Sequence, residues 1–253
     1  MKKKYVYVIL LIVILFLVFC FHVEVVKEDK KVTNIGDTLA LRIMNLYEIV
    51  ESGNGLYKIN DKYVFRGNSN NYIEFNDELW RIVSLENDGT IKIVRNDLLE
   101  YEKEYDETIN YLNSDYFNSL KNKDYIVKSK FDSTYYDISK LISFESLNGL
   151  VELESKEYNV GMLSVVEIAN ATTYVTLDQY LNIFFWVNRK SNYLYSSQKW
   201  LTMTPSVYVN YDFLKENKNE KAMIRPSVYL KKDLKISSGN GMKSDPYVLK
   251  LLN

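Results

Sequence analysis

The sequence predicts an α+β domain of antiparallel sheets and a few short helices, carried behind an N-terminal transmembrane helix. Three observations predict it. Residues 5–21 form an uncharged apolar run, residues 56–96 alternate apolar and polar side chains with a period of two, and short stretches on either side follow a three-to-four spacing. The expected organisation is a tail at 1–4, an anchor at 5–26, a linker at 27–37 and one domain at 38–253.

The apolar run YVYVILLIVILFLVFCF spans about 25 Å as a helix, slightly less than a hydrocarbon core of about 30 Å. Val23, Val25 and Val26 extend it, and Tyr5 and Tyr7 sit where an interfacial aromatic belt belongs. Lys2, Lys3 and Lys4 precede it and Lys27, Lys30 and Lys31 follow, so basic residues are balanced across it. A short basic tail before a long domain is a signal-anchor layout, which puts the N-terminus in the cytoplasm and the domain outside a cell membrane crossed once. Three alternatives bear on this segment. Cleavage as a signal peptide needs small residues that 21–31 lack, lipidation at Cys20 meets Phe19 where a small residue belongs, and a buried core helix conflicts with a run apolar on every face.

Composition narrows the chemistry. The one Cys (Cys20) and the one His (His22) both fall in or beside the apolar run. The domain therefore has no disulfide, no Cys nucleophile, no His base and no His or Cys zinc site. A net charge of −1, without a basic face in sequence, excludes nucleic acid as a partner. No cofactor is called for. Tyr dominates the aromatics, with 22 against 11 Phe and 3 Trp, and suits half-buried strands and contact surfaces.

Along the domain, residues 38–51 predict an amphipathic helix with Leu39, Ile43, Leu46, Tyr47 and Val50 on one face, capped by Asp37 and stopped by Gly53-Asn54-Gly55. A meander follows: strands at 63–65, 71–75, 79–83 and 91–94, with turns at Asn76-Asp77 and Asn87-Asp88-Gly89. Residues 100–107 read as a charged surface stretch, 109–120 as a short helix, and 131–153 as ambiguous. Ser164 and Glu167 form a capping-box signature. Residues 176–195 read as an aromatic insertion, and 200–203, 207–211 and 223–230 as closing strands. Gly239-Asn240-Gly241 turns into a last strand at 247–249.

Five stretches in order carry a resemblance: Asn76-Asp-Glu-Leu-Trp-Arg-Ile-Val83 with Asp88-Gly-Thr-Ile-Lys92; Val160-Gly-Met-Leu-Ser-Val-Val-Glu-Ile168; Trp200-Leu-Thr-Met-Thr-Pro205; Ile224-Arg-Pro-Ser-Val-Tyr-Leu230; and Gly239-Asn-Gly-Met-Lys-Ser-Asp-Pro-Tyr-Val248. Together they resemble a functionally uncharacterised domain family of bacterial surface proteins. Its layout is similar to the C-type-lectin-like fold of formylglycine-generating enzymes and phage receptor-binding proteins. The resemblance implies a single C-type-lectin-like domain displaying a variable loop surface. It does not carry the enzyme function over, because that chemistry needs paired cysteines that this domain lacks.

Trp80, Trp200 and Arg225 stand out as motif residues. Strand tryptophans belong in a core, and an Arg before Pro226 reads as a structural partner of carbonyls or an acid. The ligand-binding candidates are Tyr180, Phe184, Phe185, Trp186, Tyr193 and Tyr195, whose rings can stack on sugars or anchor a protein; the competing reading is a helix burying its aromatic face. Asp233, Asn240 and Asp245 offer oxygens for calcium but follow no EF-hand pattern, and turn chemistry explains them without metal. The expected function is non-catalytic recognition of a surface glycan or protein. A carboxylate-dependent hydrolase of cell-wall or surface glycans and a structural envelope protein are the alternatives. A reporter fused after Asn253 should be active outside the cytoplasm; activity only inside would reverse the orientation.

Overall fold

Alternating patterns pair with their neighbours in sequence unless a long connection intervenes, and the meander follows that rule. In the computed structural model the described residues are 38–135, 154–173, 176–178, 183–185, 192–210, 213–216 and 221–251. They belong to one compact unit, Gly36–Asn253. Strands outnumber helices among them, and the class is α+β. No helix among these residues is long and apolar enough to cross a membrane. The segment expected to do so, 5–26, lies outside them.

The larger sheet is built on β1 (Gly55–Ile59), β2 (Lys62–Arg66), β3 (Tyr72–Phe75), β4 (Glu78–Leu85) and β5 (Ile91–Arg95). All four meander strands stand where the alternation puts them, within one to two residues at each end, and β1 is added before them. Asn76 and Asp77 both take positive φ, at 60° and 59°, which is the type I′ hairpin turn that matches strand twist. The central strand β4 pairs with β3 through its first half, with β2 through its last residues, and with β5 along its length. Between Ile82 and Ser84 the β4–β5 register shifts by one residue, a bulge at Val83. Bulges bend the strand and raise its twist, and the sheet curls there.

Later strands close the sheet: β16 (Ser227–Leu230) lies against β5, β7 (Ile126–Val127) against β16, and the hairpin of β17 (Leu234–Ser238) and β18 (Tyr247–Leu251) against β3. The β18–β3 pair is parallel, so the expectation of purely antiparallel sheets is corrected. A second sheet runs β10 (Thr176–Asp178), β11 (Ile183–Phe185), β14 (Phe213–Glu216), β13 (Val207–Asn210), β12 (Trp200–Leu201), β15 (Ala222–Met223) and β6 (Glu102–Lys103). It contains another parallel pair, β12–β15. A hairpin of β8 (Ser129–Asp132) and β9 (Ser155–Tyr158) stands apart.

The first helix, α1 (Leu39–Leu46), is shorter than the spacing predicts. Thr38 caps it by accepting from the Leu41 amide at 3.4 Å. At Tyr47 the chain turns extended. The Tyr47 ring packs edge-on against Phe65 at 5.0 Å and its hydroxyl donates to the Asn70 carbonyl. The Val50 amide donates to Leu56 rather than continuing the helix. Tertiary anchoring of one Tyr thus outweighs the periodicity that ran to Val50. The charged stretch at 100–107 is also not a plain surface segment: it holds β6 and the start of α2 (Tyr105–Tyr111), which continues through a π turn at Leu112–Tyr116 into Phe117–Ser119. The Tyr105 hydroxyl donates to the Met203 carbonyl at 2.9 Å, a long-range tie that charge pattern does not reveal.

Ser164 and Glu167 form the capping box of α3 (Val165–Asn170): the Glu167 amide donates to Ser164 Oγ and the Ser164 amide to Glu167 Oε2 at 2.9 Å. The other Glu167 oxygen accepts from Lys92 Nζ at 2.5 Å. Lys92 comes from β5, is fully buried, and lies 4.6 Å from the Phe131 ring and 4.9 Å from the Tyr229 ring. One pair therefore ties α3, β5, β8 and β16 together. Trp80 and Trp200 are both fully buried, as strand tryptophans should be.

Burial raises the affinity of Glu167 for its proton, but the charges of Lys92 and Lys62, with the hydrogen bonds from Lys92 and the Ser164 amide, together more than reverse this and hold the carboxyl below its ordinary 4.5. A carboxyl depressed on folding adds stability that is complete above its unfolded value and is lost as pH falls below it. Lys92→Met leaves a buried unpaired carboxylate and should cost about 3–5 kcal/mol near neutrality. In urea titrations the gap should narrow as the pH falls towards 4.5, where the unpaired carboxyl of the variant, raised by burial, takes up its proton, and further below 4.5 as the unsubstituted protein loses the pair. A gap that stays constant with pH would remove the pair from this role.

Candidate functional site

The two sheets are joined by residues 224–226, between β15 and β16. Arg225 lies in that link and is buried, with 4% of its surface exposed. A buried guanidinium must find acceptors. It donates from one terminal nitrogen to the Leu194 carbonyl at 2.5 Å and from the other to the Asn96 carbonyl at 2.8 Å, and it stands 4.9 Å from the Trp200 ring centre. Its Nε–H is buried and without an acceptor.

A second guanidinium lies nearby. Arg81 of β4, 3% exposed, donates to Asn71 Oδ1 at 2.6 Å and to the Ser69 carbonyl at 2.8 Å. It stacks 3.8 Å from the ring centre of Tyr72, its cross-strand neighbour on β3, and 4.9 Å from that of Tyr193. Among the described residues neither Arg81 nor Arg225 forms a salt bridge. Burial and the neighbouring Arg81 charge draw Arg225 down to about 10; burial likewise lowers Arg81, against the opposing pull of Tyr72 and Tyr193. Both remain cations at neutral pH.

These groups line an open cleft of about 940 Å³. Its walls are loops held by specific bonds. Arg95 donates to the Asp97 and Leu98 carbonyls at 3.0 and 2.8 Å, which fixes the turn after β5. Asn192 donates to the Ile168 carbonyl at 3.0 Å and accepts from the Leu194 amide at 2.8 Å, which fixes the segment carrying Tyr193 and Tyr195. Ser196, Ser197 and Gln198 continue that wall, and Lys243 of the β17–β18 loop stands opposite in the lining. Asp97 and Glu100 are the carboxylates of the cleft. Most of the lining is amide, hydroxyl or charged, with Leu98 and Met223 as its aliphatic members.

Of the aromatic candidates, Tyr193 and Tyr195 line this cleft. Tyr193 is buried, and its hydroxyl has no hydrogen-bond partner among the described residues. Phe184 and Phe185 belong to β11, paired with β10 and β14, and their side chains lie outside the described residues. Tyr180 and Trp186 lie wholly outside them. The described residues 176–178 and 183–185 are strand and 192–195 is a bridge and turn, so the reading of the stretch around Phe184 and Phe185 as a helix burying an aromatic face is corrected. Sequence reasoning missed Arg81 and Tyr72, whose pairing is a matter of strand register, and gave Arg225 a structural role only. Asn240 of the calcium candidates is engaged in its turn, accepting from the Met242 amide at 3.0 Å, and its own amide donates to the Asp245 carbonyl. No group of three or more metal-ligating side chains stands together among the described residues.

Comparison with protein-family models, curated proteins and solved structures finds no match.

The chain carbonyls of Leu194 and Asn96 depend on Arg225 for a donor. Arg225→Met should therefore leave the buried Leu194 carbonyl unsatisfied and the part-buried Asn96 carbonyl without its protein donor, lowering stability by about 1–3 kcal/mol. A shift in the urea midpoint well under 1 kcal/mol would show that Arg225 is not what holds the cleft walls.

Proposed function

We propose that the chain is a membrane-anchored, extracytoplasmic recognition module that binds a surface ligand, glycan or protein, in the cleft between the 96–100 turn, the 192–198 segment and the β17–β18 loop, without transforming it. The observation that carries this reading is the pair of buried guanidiniums beside Tyr72 and Tyr193, opening into a polar cleft. Burying two cations without carboxylate partners costs stability. Such an expense is characteristic of sites built to receive a ligand. The sequence supports the same reading: the domain has no His or Cys for nucleophilic or zinc chemistry. The α+β sheet architecture is compatible with the C-type-lectin-like resemblance, and a single domain of that type displaying ligand-contacting loops is part of the proposal.

Asp97 and Glu100 share the cleft, which favours a carboxylate-dependent glycan hydrolase as the second reading. The two readings separate by product. The full chain in neutral detergent, screened against wall glycans and surface proteins, should capture a ligand and release it unchanged. Ser197→Trp, at an exposed position on the cleft wall, should abolish capture without shifting the thermal midpoint. Appearance of shortened glycan that Asp97→Asn or Glu100→Gln removes would favour the hydrolase, and no ligand at all would sink recognition.

A further inference from the structure

We infer that the ligand of this cleft is an acidic oligosaccharide, held by a carboxylate docked on the donors that Arg81 and Arg225 leave free. The inference rests on the recognition reading and names the class of ligand that reading leaves open.

The donor count points to an anion. A guanidinium carries five N–H donors in a fixed fork. Arg81 places two hydrogen bonds on the protein and Arg225 two, so each keeps unused donors among the described residues. Among the described residues the Arg225 Nε–H is buried with no acceptor, and the Tyr193 hydroxyl is buried with no partner. Such orphans are few in folded proteins and cost a desolvation penalty each. A planar carboxylate is the group whose two oxygens match this fork.

Charge agrees with the count. Arg81, Arg225 and Lys243 share the cleft lining with Asp97 and Glu100, leaving it one charge positive in a chain whose net charge is −1. Asp97 is partly occupied, accepting from the neighbouring Asn96 amide at 3.0 Å. One docked carboxylate would balance the site.

The rest of the lining favours a sugar over a peptide. Protein partners are held by a dry apolar centre with a polar rim, and here only Leu98 and Met223 are aliphatic. Asn68, Asn96, Ser196, Ser197 and Gln198 instead supply donors and acceptors suited to hydroxyls, with the half-exposed Tyr195 ring available for stacking on a pyranose face. At about 940 Å³ the cleft exceeds what a lone anion requires and falls at the upper end of the roughly 300–1,000 Å³ of small-molecule sites.

The test titrates the full chain in neutral detergent, by calorimetry at low salt, with hexagalacturonate, with the same sugar after reduction of its carboxyls, and with hexaglutamate. Hexagalacturonate should bind, and reduction should weaken it about tenfold or more. Gln198→Glu, at an exposed lining position, should weaken it as well through like-charge repulsion. Gln198→Lys should retain or tighten it, and unchanged thermal midpoints would show both variants folded. Arg81→Lys, which keeps the charge but loses the fork, should also weaken binding. Equal binding of the reduced sugar, tighter binding of hexaglutamate, indifference to Gln198→Glu, or no binding of hexagalacturonate would each overturn the inference. If a neutral glycan or a surface protein is then captured and Ser197→Trp blocks it, the recognition reading stands alone; if nothing is captured, both fall.

Discussion

A guanidinium buried where one sheet hands over to the other constrains much of this domain. Arg225 cannot be left without acceptors, so the carbonyls of Leu194 and Asn96 must converge on it. Those two carbonyls belong to the segment before β12 and to the turn after β5, and satisfying them holds the two walls of the cleft at a fixed separation. The backbone around Arg225 is tied as well: the Arg95 amide donates to Pro226 and the Leu99 amide to Ile224. One side chain thus joins the curled sheet, the second sheet and the loop surface. The position that orders the site also supplies its charge.

The two kinds of buried cation in the molecule make an instructive contrast. Lys92 is answered fully, by Glu167 and by two aromatic faces, and the helix that brings Glu167 is itself capped by that same carboxylate. Its electrostatics are closed and serve the fold. Arg81 and Arg225 hydrogen-bond only to neutral acceptors among the described residues, and they repel each other. Electrostatics left open at the edge of a cleft are what a recognition site requires, because the ligand then contributes what the protein withholds. On the recognition reading proposed above, stability and ligand binding are divided between these cations accordingly.

How legible this was depended on the range over which each feature is decided. The meander was readable because alternation and the Asn76-Asp77 turn act within a few residues, and β-hairpin register follows from turn type. The capping box at Ser164 and Glu167 was readable for the same reason. Helix α1 was readable in place but not in length, since Tyr47 is drawn off by Phe65 and Asn70, both distant in sequence. The stretch at 100–107 looked like solvated charge, and only its pairing with Ala222 and Met223 makes part of it a strand. In the site, Tyr193 and Tyr195 were found through aromatic clustering, whereas Arg81 looked like one more strand residue until Tyr72 was set across from it.

The sequence by itself determined the α+β class, the order of the hairpins, the local caps and turns, and the chemistry that the domain lacks, because each of these is set by residue type and short-range spacing. It also marked Trp80 and Trp200 as interior, since bulky aromatics on strands belong in a core, and Arg225 as a structural partner of carbonyls or an acid. Tertiary structure alone decided that β18 runs parallel to β3 and β15 parallel to β12, and that Lys92 meets Glu167. It alone brought two arginines, 144 positions apart by their numbers 81 and 225, to one cleft where neither forms a salt bridge among the described residues. The physical reason is that charge neutralisation and hydrogen-bond satisfaction are sums over neighbours in space, and a sequence records neighbours only along the chain.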